Sequence, residues 1–290
     1  MNKVSIKARN VLLLSEVDRV CGKIYGKNIQ IVLLKGTALL KEEIFEIGER
    51  EMSDVDILVK PEDLKGFEKI LSELGFKPME NSSSSFIRKM PAGVPPLIID
   101  IHITLRHLTD IKDFWREGIK PCTKNKNIFV PKDDEMLLHL IAHPFLHHGV
   151  FSEKNRKDVK QVLIKKKLFK ENFWRSLSEK ARERKLCFMT VAVLTALEKE
   201  MPQLSSCLSF FKPKFSETIL LPFIKTALRK HFNLTEYAIP LFYNPKKTLK
   251  YLWLPDEPME RRYGKKDIKT RLNRLLQILK NIFSRRRGNF

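Results

Sequence analysis

The chain has 290 residues, 43% of them hydrophobic, an ordinary globular composition that can bury a substantial core in one large domain or two small ones. No apolar run approaches the length of a membrane span, and the run Val11 to Leu14, behind Lys3, Lys7 and Arg9, is too short for a signal peptide. The formal net charge of +21 implies either affinity for anions (nucleotides, nucleic acid, acidic membrane) or simply a lysine-rich solvated surface.

Residues Ser5 to Tyr25 are predicted to form a helix, with Val11, Leu14, Val17, Val20 and Cys21 at helical spacing. Asn28 to Leu34 reads as a strand, after which Gly36 opens a helix running to about Phe45. Such a strand–glycine–helix turn aims backbone N–H groups beyond the strand end, a natural seat for phosphate. Asp54 to Val59 is the next strand. Pro61 starts a helix carrying Leu64, Phe67, Ile70, Leu71 and Leu74, with Gly75 at its C-terminal cap. Phe86 to Met90 and Leu97 to Leu105 read as strands joined by the turn Pro91 to Pro96, with a polar loop over Asn81 to Ser85 before them. From Pro131 the pattern is helical. Asp133 and Asp134 start one helix; others cover Lys154 to Leu163, Glu171 to Leu197, Ile219 to His231 and Lys266 to Phe283.

The densest chemistry lies in two of these strands. Asp54 and Asp56 stand two apart in one apolar run, and Asp100 and His102 two apart in another. Strand side chains alternate faces, so each pair shares a face while Val55, Ile57, Ile99 and Ile101 turn the other way. If the strands are neighbours, three carboxylates converge, and such a cluster repels itself unless a cation fills it. Hard oxygen ligands suit magnesium, and paired magnesium ions suit phosphoryl or nucleotidyl transfer.

The ordered set of Gly36-Thr37, Asp54-x-Asp56 and a lone Asp100 in a later strand resembles the polymerase-beta-like nucleotidyltransferase superfamily. The stretch Leu33-Leu34-Lys35-Gly36-Thr37-Ala38-Leu39, Arg50, and Met52 to Val59 is similar to one branch, the uncharacterised nucleotidyltransferase family. Further matches are Pro61-Glu62-Asp63-Leu64, Leu74-Gly75-Phe76, Asp100-Ile101-His102, the helix near His139 and His143, and Arg261-Arg262-Tyr263-Gly264. Nucleotidyltransferase-like toxins are similar around Lys35 but usually carry a second glycine where this chain has Thr37.

The resemblance implies an α+β polymerase-beta-like nucleotidyltransferase fold, a small mixed sheet flanked by helices, over residues 1–127. A mainly helical domain, 128–290, would follow and end in a basic amphipathic helix. It implies a magnesium-dependent enzyme that moves an NMP from an NTP (ATP is one candidate) to a hydroxyl acceptor on a small molecule, a protein or RNA. Asp54 and Asp56 would hold two magnesium ions; Asp100 would complete the shell of the second ion and draw the acceptor's proton. Gly36 and Thr37 would bind the triphosphate through backbone N–H groups and the Thr37 hydroxyl, with Lys35 as counter-charge. Arg50 would contact phosphate or pair with Asp54, and His102 would orient Asp100 or touch substrate, unless it is only a polar strand residue. The alternatives are a toxin-like enzyme acting on tRNA or protein, and a non-catalytic nucleotide- or RNA-binding module on the same fold; three intact carboxylates favour an enzyme.

His139, His143 and His147 recur every four residues, a zinc-like spacing, but Pro144 interrupts the helix and no cysteine or H-E-x-x-H accompanies them. The favoured reading is a histidine face packed on the cleft or the core, with Asp158 a solvated helix acid. Cys21, Cys122, Cys187 and Cys207 form no C-x-x-C pair and read as free thiols in a reducing cytoplasm. The C-terminal stripe Leu272, Leu275, Leu276, Leu279 and Phe283 packs on the protein body or, with its Lys and Arg, meets RNA or an acidic membrane surface. Ser284 to Arg287 reads as disordered.

Overall fold

The computed structural model describes residues 2–213 apart from 81, 83, 109, 123–125 and 149, together with residues 268, 269, 272 and 273. Helix α1 spans Lys3–Ile24. Asn2 starts it: its Oδ1 accepts the Ser5 N–H at 2.9 Å, satisfying one donor of the first turn. The apolar stripe Leu13, Val17, Val20 and Ile24 is fully buried.

Strand β1 (Ile31–Leu33) runs almost directly into α2 (Lys35–Lys41). The helix expected to reach Phe45 stops sooner because Glu43 takes a left-handed φ of 56°. The Ile44 N–H then donates to the Leu39 carbonyl and the Glu43 N–H to Leu40, closing the helix without the usual glycine signal. Strand β2 (Val55–Val59) follows, then a 3-10 turn at Pro61–Asp63 and α3 (Leu64–Glu73). Gly75, at φ 85°, ends α3 as its position predicts, with the Phe76 N–H donating to the Leu71 carbonyl.

Next come β3 (Lys77–Pro78), β4 (Ser85–Arg88) and β5 (Leu97–His102). The segment before Pro131 carries elements too short for a periodic signal: α4 (Ile111–Glu117), β6 (Ile119–Pro121) and β7 (Ile128–Pro131). Beyond them lie α5 (Asp133–His143), a π-helical turn at Pro144–His148, α6 (Glu153–Lys165), α7 (Glu171–Glu183), α8 (Cys187–Glu198) and α9 (Leu204–Leu208). The single helix expected over Glu171 to Leu197 is two. Lys185 sits at φ 57° and the Leu186 N–H donates to the Ala181 carbonyl, a closure that neither glycine nor proline announces.

The strands form one mixed sheet of order β3-β4-β5-β2-β1-β7-β6. Strand β2 lies antiparallel to β1 and parallel to β5. Every residue of β2 is buried, so both of its faces are covered. On one face Val32, Leu34 and Leu58 pack with Leu105, Leu108 and Phe114.

The chain forms two compact units. Met1–His139 with Gln161–Leu168 makes the sheet unit, and Leu140–Lys160 with the chain from Phe169 onward makes the other. The described part of the second unit is helical. Trp174, Leu177, Phe188 and Leu194 are buried, and an Arg156 Nη2 donor reaches the Ala196 carbonyl at 2.8 Å. Asp158 is buried there, not solvated as its polar sequence neighbours suggested. The helix expected over Ile219 to His231, the tail Ser284 to Arg287 and the match at Arg261 to Gly264 lie outside the described residues. Of the helix expected from Lys266 to Phe283, residues 268, 269, 272 and 273 are described, and they are helical. None of the described helices is long and apolar enough to cross a membrane, and none of the cysteines forms a disulfide.

Candidate active site

The parallel pairing of β2 and β5 sets Asp56 directly opposite Asp100. Along β5 the burial alternates: Ile99 and Ile101 are buried while Asp100 and His102 share the other, half-buried face. The alternation expected of this strand is therefore present, and it delivers Asp100 and His102 to one side of the sheet.

Lys35 closes the arrangement from β1. At the first position of α2 its backbone adopts a left-handed φ of 45°, uncommon outside glycine. Its Nζ donates to Asp56 Oδ1 at 2.6 Å, and His102 Nε2–H donates to the same oxygen at 2.9 Å. Burial alone would raise the Asp56 carboxyl. The His102 hydrogen bond and the Lys35 charge overcome it and hold Asp56 well below the usual carboxylate range. His102, for which orienting Asp100 is one of three expected roles, bonds Asp56.

Asp100 is placed oppositely. Burial pushes its carboxyl up, the Asp56 and Asp54 charges push it further, and a hydrogen bond with Ser85 opposes them. Its Oδ1 is buried with no hydrogen-bond partner among the described residues. A carboxyl raised in the folded state weakens the fold above its folded pKa, and the penalty fades as pH falls and the group protonates. Asp100→Asn is therefore expected to raise the melting temperature of metal-free protein at pH 7, the gain shrinking toward pH 4. Melts of both proteins across that range check it; a lower melting temperature at pH 7 would contradict the assignment.

Asp54 precedes β2 and is half-buried, its Oδ1 accepting the Ser53 hydroxyl at 2.9 Å. Two residues that sequence reasoning passed over position this loop. Arg9 on α1 donates to the carbonyls of Ser53, Pro95 and Pro96 at 3.0, 3.0 and 2.6 Å, tying the entry of β2 to the entry of β5. Asn10, fully buried, donates to the carbonyls of Ile47 and Arg50 and accepts the Met52 N–H. The signal was present: Asn10 sits one turn before Leu13 on the buried stripe of α1, where a polar amide needs a reason.

The remaining expected residues, Gly36, Thr37 and Arg50, pack together with Met52. Gly36 packs against Arg50: a Cβ there would stand 2.1 Å from Arg50 Nη1 and 3.0 Å from Met52 Cγ. A side chain at this position would have to push the Arg50 guanidinium and the Met52 side chain aside. Thr37 is buried with its hydroxyl 4.0 Å from the Met52 sulfur. The structure joins Lys35, Asp56, Asp100 and His102, with Asp54 at their edge; it turns Thr37 inward.

His139 on α5 is buried, its ring centroid 5.1 Å from that of His107. Burial first, then the charges of His107, Lys35 and His102, keep it neutral, well below the ordinary histidine pKa, with Asp56 opposing. His143 and His147 stack at 4.3 Å in the second unit. The helix does not continue in α form through His147, since a π-helical turn covers Pro144–His148.

Among the described residues no three His, Cys, Asp or Glu side chains stand together as a metal-holding group. The carboxylates nevertheless fit an oxygen-seeking cation in kind. Two are in register on adjacent strands, one has a buried oxygen with no partner, and the other already holds an ammonium.

The family described as uncharacterised nucleotidyltransferase matches residues 2–197. No curated protein matches the chain. Among solved structures, an antigenic nucleotidyltransferase-like protein from Paracoccidioides brasiliensis is 14% identical, with 73% of this chain and 94% of that chain covered and a TM-score of 0.38.

Proposed function

The chain belongs to the uncharacterised nucleotidyltransferase family, and we propose that it is a magnesium-dependent enzyme moving an NMP from an NTP to a hydroxyl acceptor. The observation that carries this reading is the register of Asp56 against Asp100 on adjacent buried strands, with Lys35 beside them. Asp54, Asp56 and Asp100 would hold the metal. When bound, magnesium supplies neutralisation of charge developing at the α-phosphate and at the leaving pyrophosphate.

The chain's own groups do the rest. Asp56 stays ionised at any working pH because Lys35 and His102 hold it so. Asp100, whose proton affinity burial and its acidic neighbours raise, is suited to take the proton of an acceptor hydroxyl. Lys35 is the cation within reach of the triphosphate. Gly36 allows Arg50 to lie against the first turn of α2, adding a second positive charge to that corner. The acceptor belongs to one of three classes, small molecule, protein or RNA; the net charge of +21 favours an anionic one.

A thermal-shift screen of the wild type and Asp56→Ala against the four NTPs, with and without magnesium, tests the reading. Stabilisation by an NTP only with magnesium, absent in the variant, is the expected result. Equal shifts in both proteins would place the nucleotide elsewhere.

A further inference from the structure

Lys35 combines three properties that phosphate binding alone leaves unexplained. Its ammonium is 2.6 Å from Asp56 Oδ1, an oxygen that a divalent cation held by Asp56 would compete for. Its side chain is 23% exposed while that of Asp56 is 6% exposed, so the lysine end of the pair opens to water and the carboxylate end does not. Its backbone is left-handed, a conformation costing a non-glycine residue about 1 kcal/mol or more. This conformation sets the side chain of the residue after β1 across the end of β2.

From this geometry we infer that Lys35 is a resident counter-cation, holding the place of a divalent cation at Asp56 until nucleotide draws it away. The inference rests on the nucleotidyl-transfer reading and adds to it a coupling between metal and nucleotide. An ammonium and a divalent cation on Asp56 Oδ1, which already accepts His102 as well, would stand about 4 Å apart and repel each other. Metal arriving alone must therefore displace Lys35 with no compensation for the ammonium. Metal arriving with a triphosphate meets a second anion that takes the ammonium over. The consequence is that free divalent cations bind weakly, nucleotide strengthens their binding, and the empty site keeps Asp56 neutralised.

The test uses Mn2+ without nucleotide, followed by the EPR signal of the free ion. Lys35→Met is expected to bind Mn2+ about tenfold more tightly than wild type, Lys35→Arg no more tightly, and Lys35→Met combined with Asp56→Asn far more weakly than Lys35→Met alone. If Lys35→Met binds no better than wild type while the double variant is weaker than both, the counter-cation role is overturned and the metal site at Asp56 stands. If Lys35→Met and the double variant bind equally, there is no cation site at Asp56, and both readings fall together. Should Lys35→Met fail to fold, acetylation of Lys35 in the wild type, quantified by mass spectrometry, decides the question. Labelling is expected to rise when Mn2+ is added at a saturating concentration; unchanged labelling overturns the proposal.

Discussion

Asp56→Asn is expected to lower nucleotidyl transfer at least about a thousandfold while leaving the chain folded. The argument starts from the strand. Asp56 lies in a strand buried on both faces, so its charge is tolerated only because Lys35 and His102 reach it. Asparagine fills the same volume and still offers Oδ1 to both donors, so the sheet has no cavity to collapse. What disappears is the negative charge that would grip the metal. The sign of the stability effect follows from linkage. A carboxyl held below its unfolded pKa stabilises the fold above about pH 4 and loses that contribution only as pH falls through its folded value. Asp56→Asn removes this contribution across the neutral range, giving a modest fall in melting temperature. Pyrophosphate release and a circular-dichroism melt together check the expectation. Full activity in the variant would remove Asp56 from the chemistry, and a chain that no longer folds would make it a structural residue.

The second large effect falls on stability. Asn10→Ala is expected to cost about 2–4 kcal/mol, because three hydrogen bonds go at once, two of them to buried groups of the loop. The Met52 N–H and the carbonyls of Ile47 and Arg50 lose their partner, and no solvent reaches Asn10 itself. The loop so loosened leads through Met52 and Ser53 to Asp54. A chemical-denaturation midpoint measures the loss; a change under about 1 kcal/mol would mean that the loop holds its shape by other contacts.

The face of the sheet that matters was legible in the sequence because a strand's period of two is insensitive to its exact ends. Asp100 and His102 share a side with Ile99 and Ile101 opposite, although β5 ends three residues before the expected Leu105. The pairing of β2 with β5 was assumed, and the structure supplies it in register. What stayed hidden depends on tertiary geometry. That Lys35 points toward Asp56 follows from one left-handed residue that no glycine marks. That His102 serves Asp56, not Asp100, follows from a diagonal contact across the pairing, His102 lying two residues along β5 from the partner of Asp56. Thr37, expected at a triphosphate, lies against Met52 because the first turn of α2 rotates it into the core. Helix ends at Glu43 and Lys185 escaped notice for a shared reason: side-chain-bearing residues occupy positions that sequence patterns reserve for glycine. Strands as short as β6 and β7 carry too few residues for any period to show.

The most direct test of the central claim follows the α-phosphate. The full-length wild type is incubated with magnesium and each NTP labelled at the α-phosphate, together with separate pools of RNA, protein and small metabolites, with Asp56→Asn as the blank. The expected result is label moving to one pool from one or more NTPs, with pyrophosphate released in equal amount and neither event in the blank. Label retained on the NTP in every pool, or transferred equally by Asp56→Asn, would contradict a nucleotidyltransferase site built on Asp56 and Asp100.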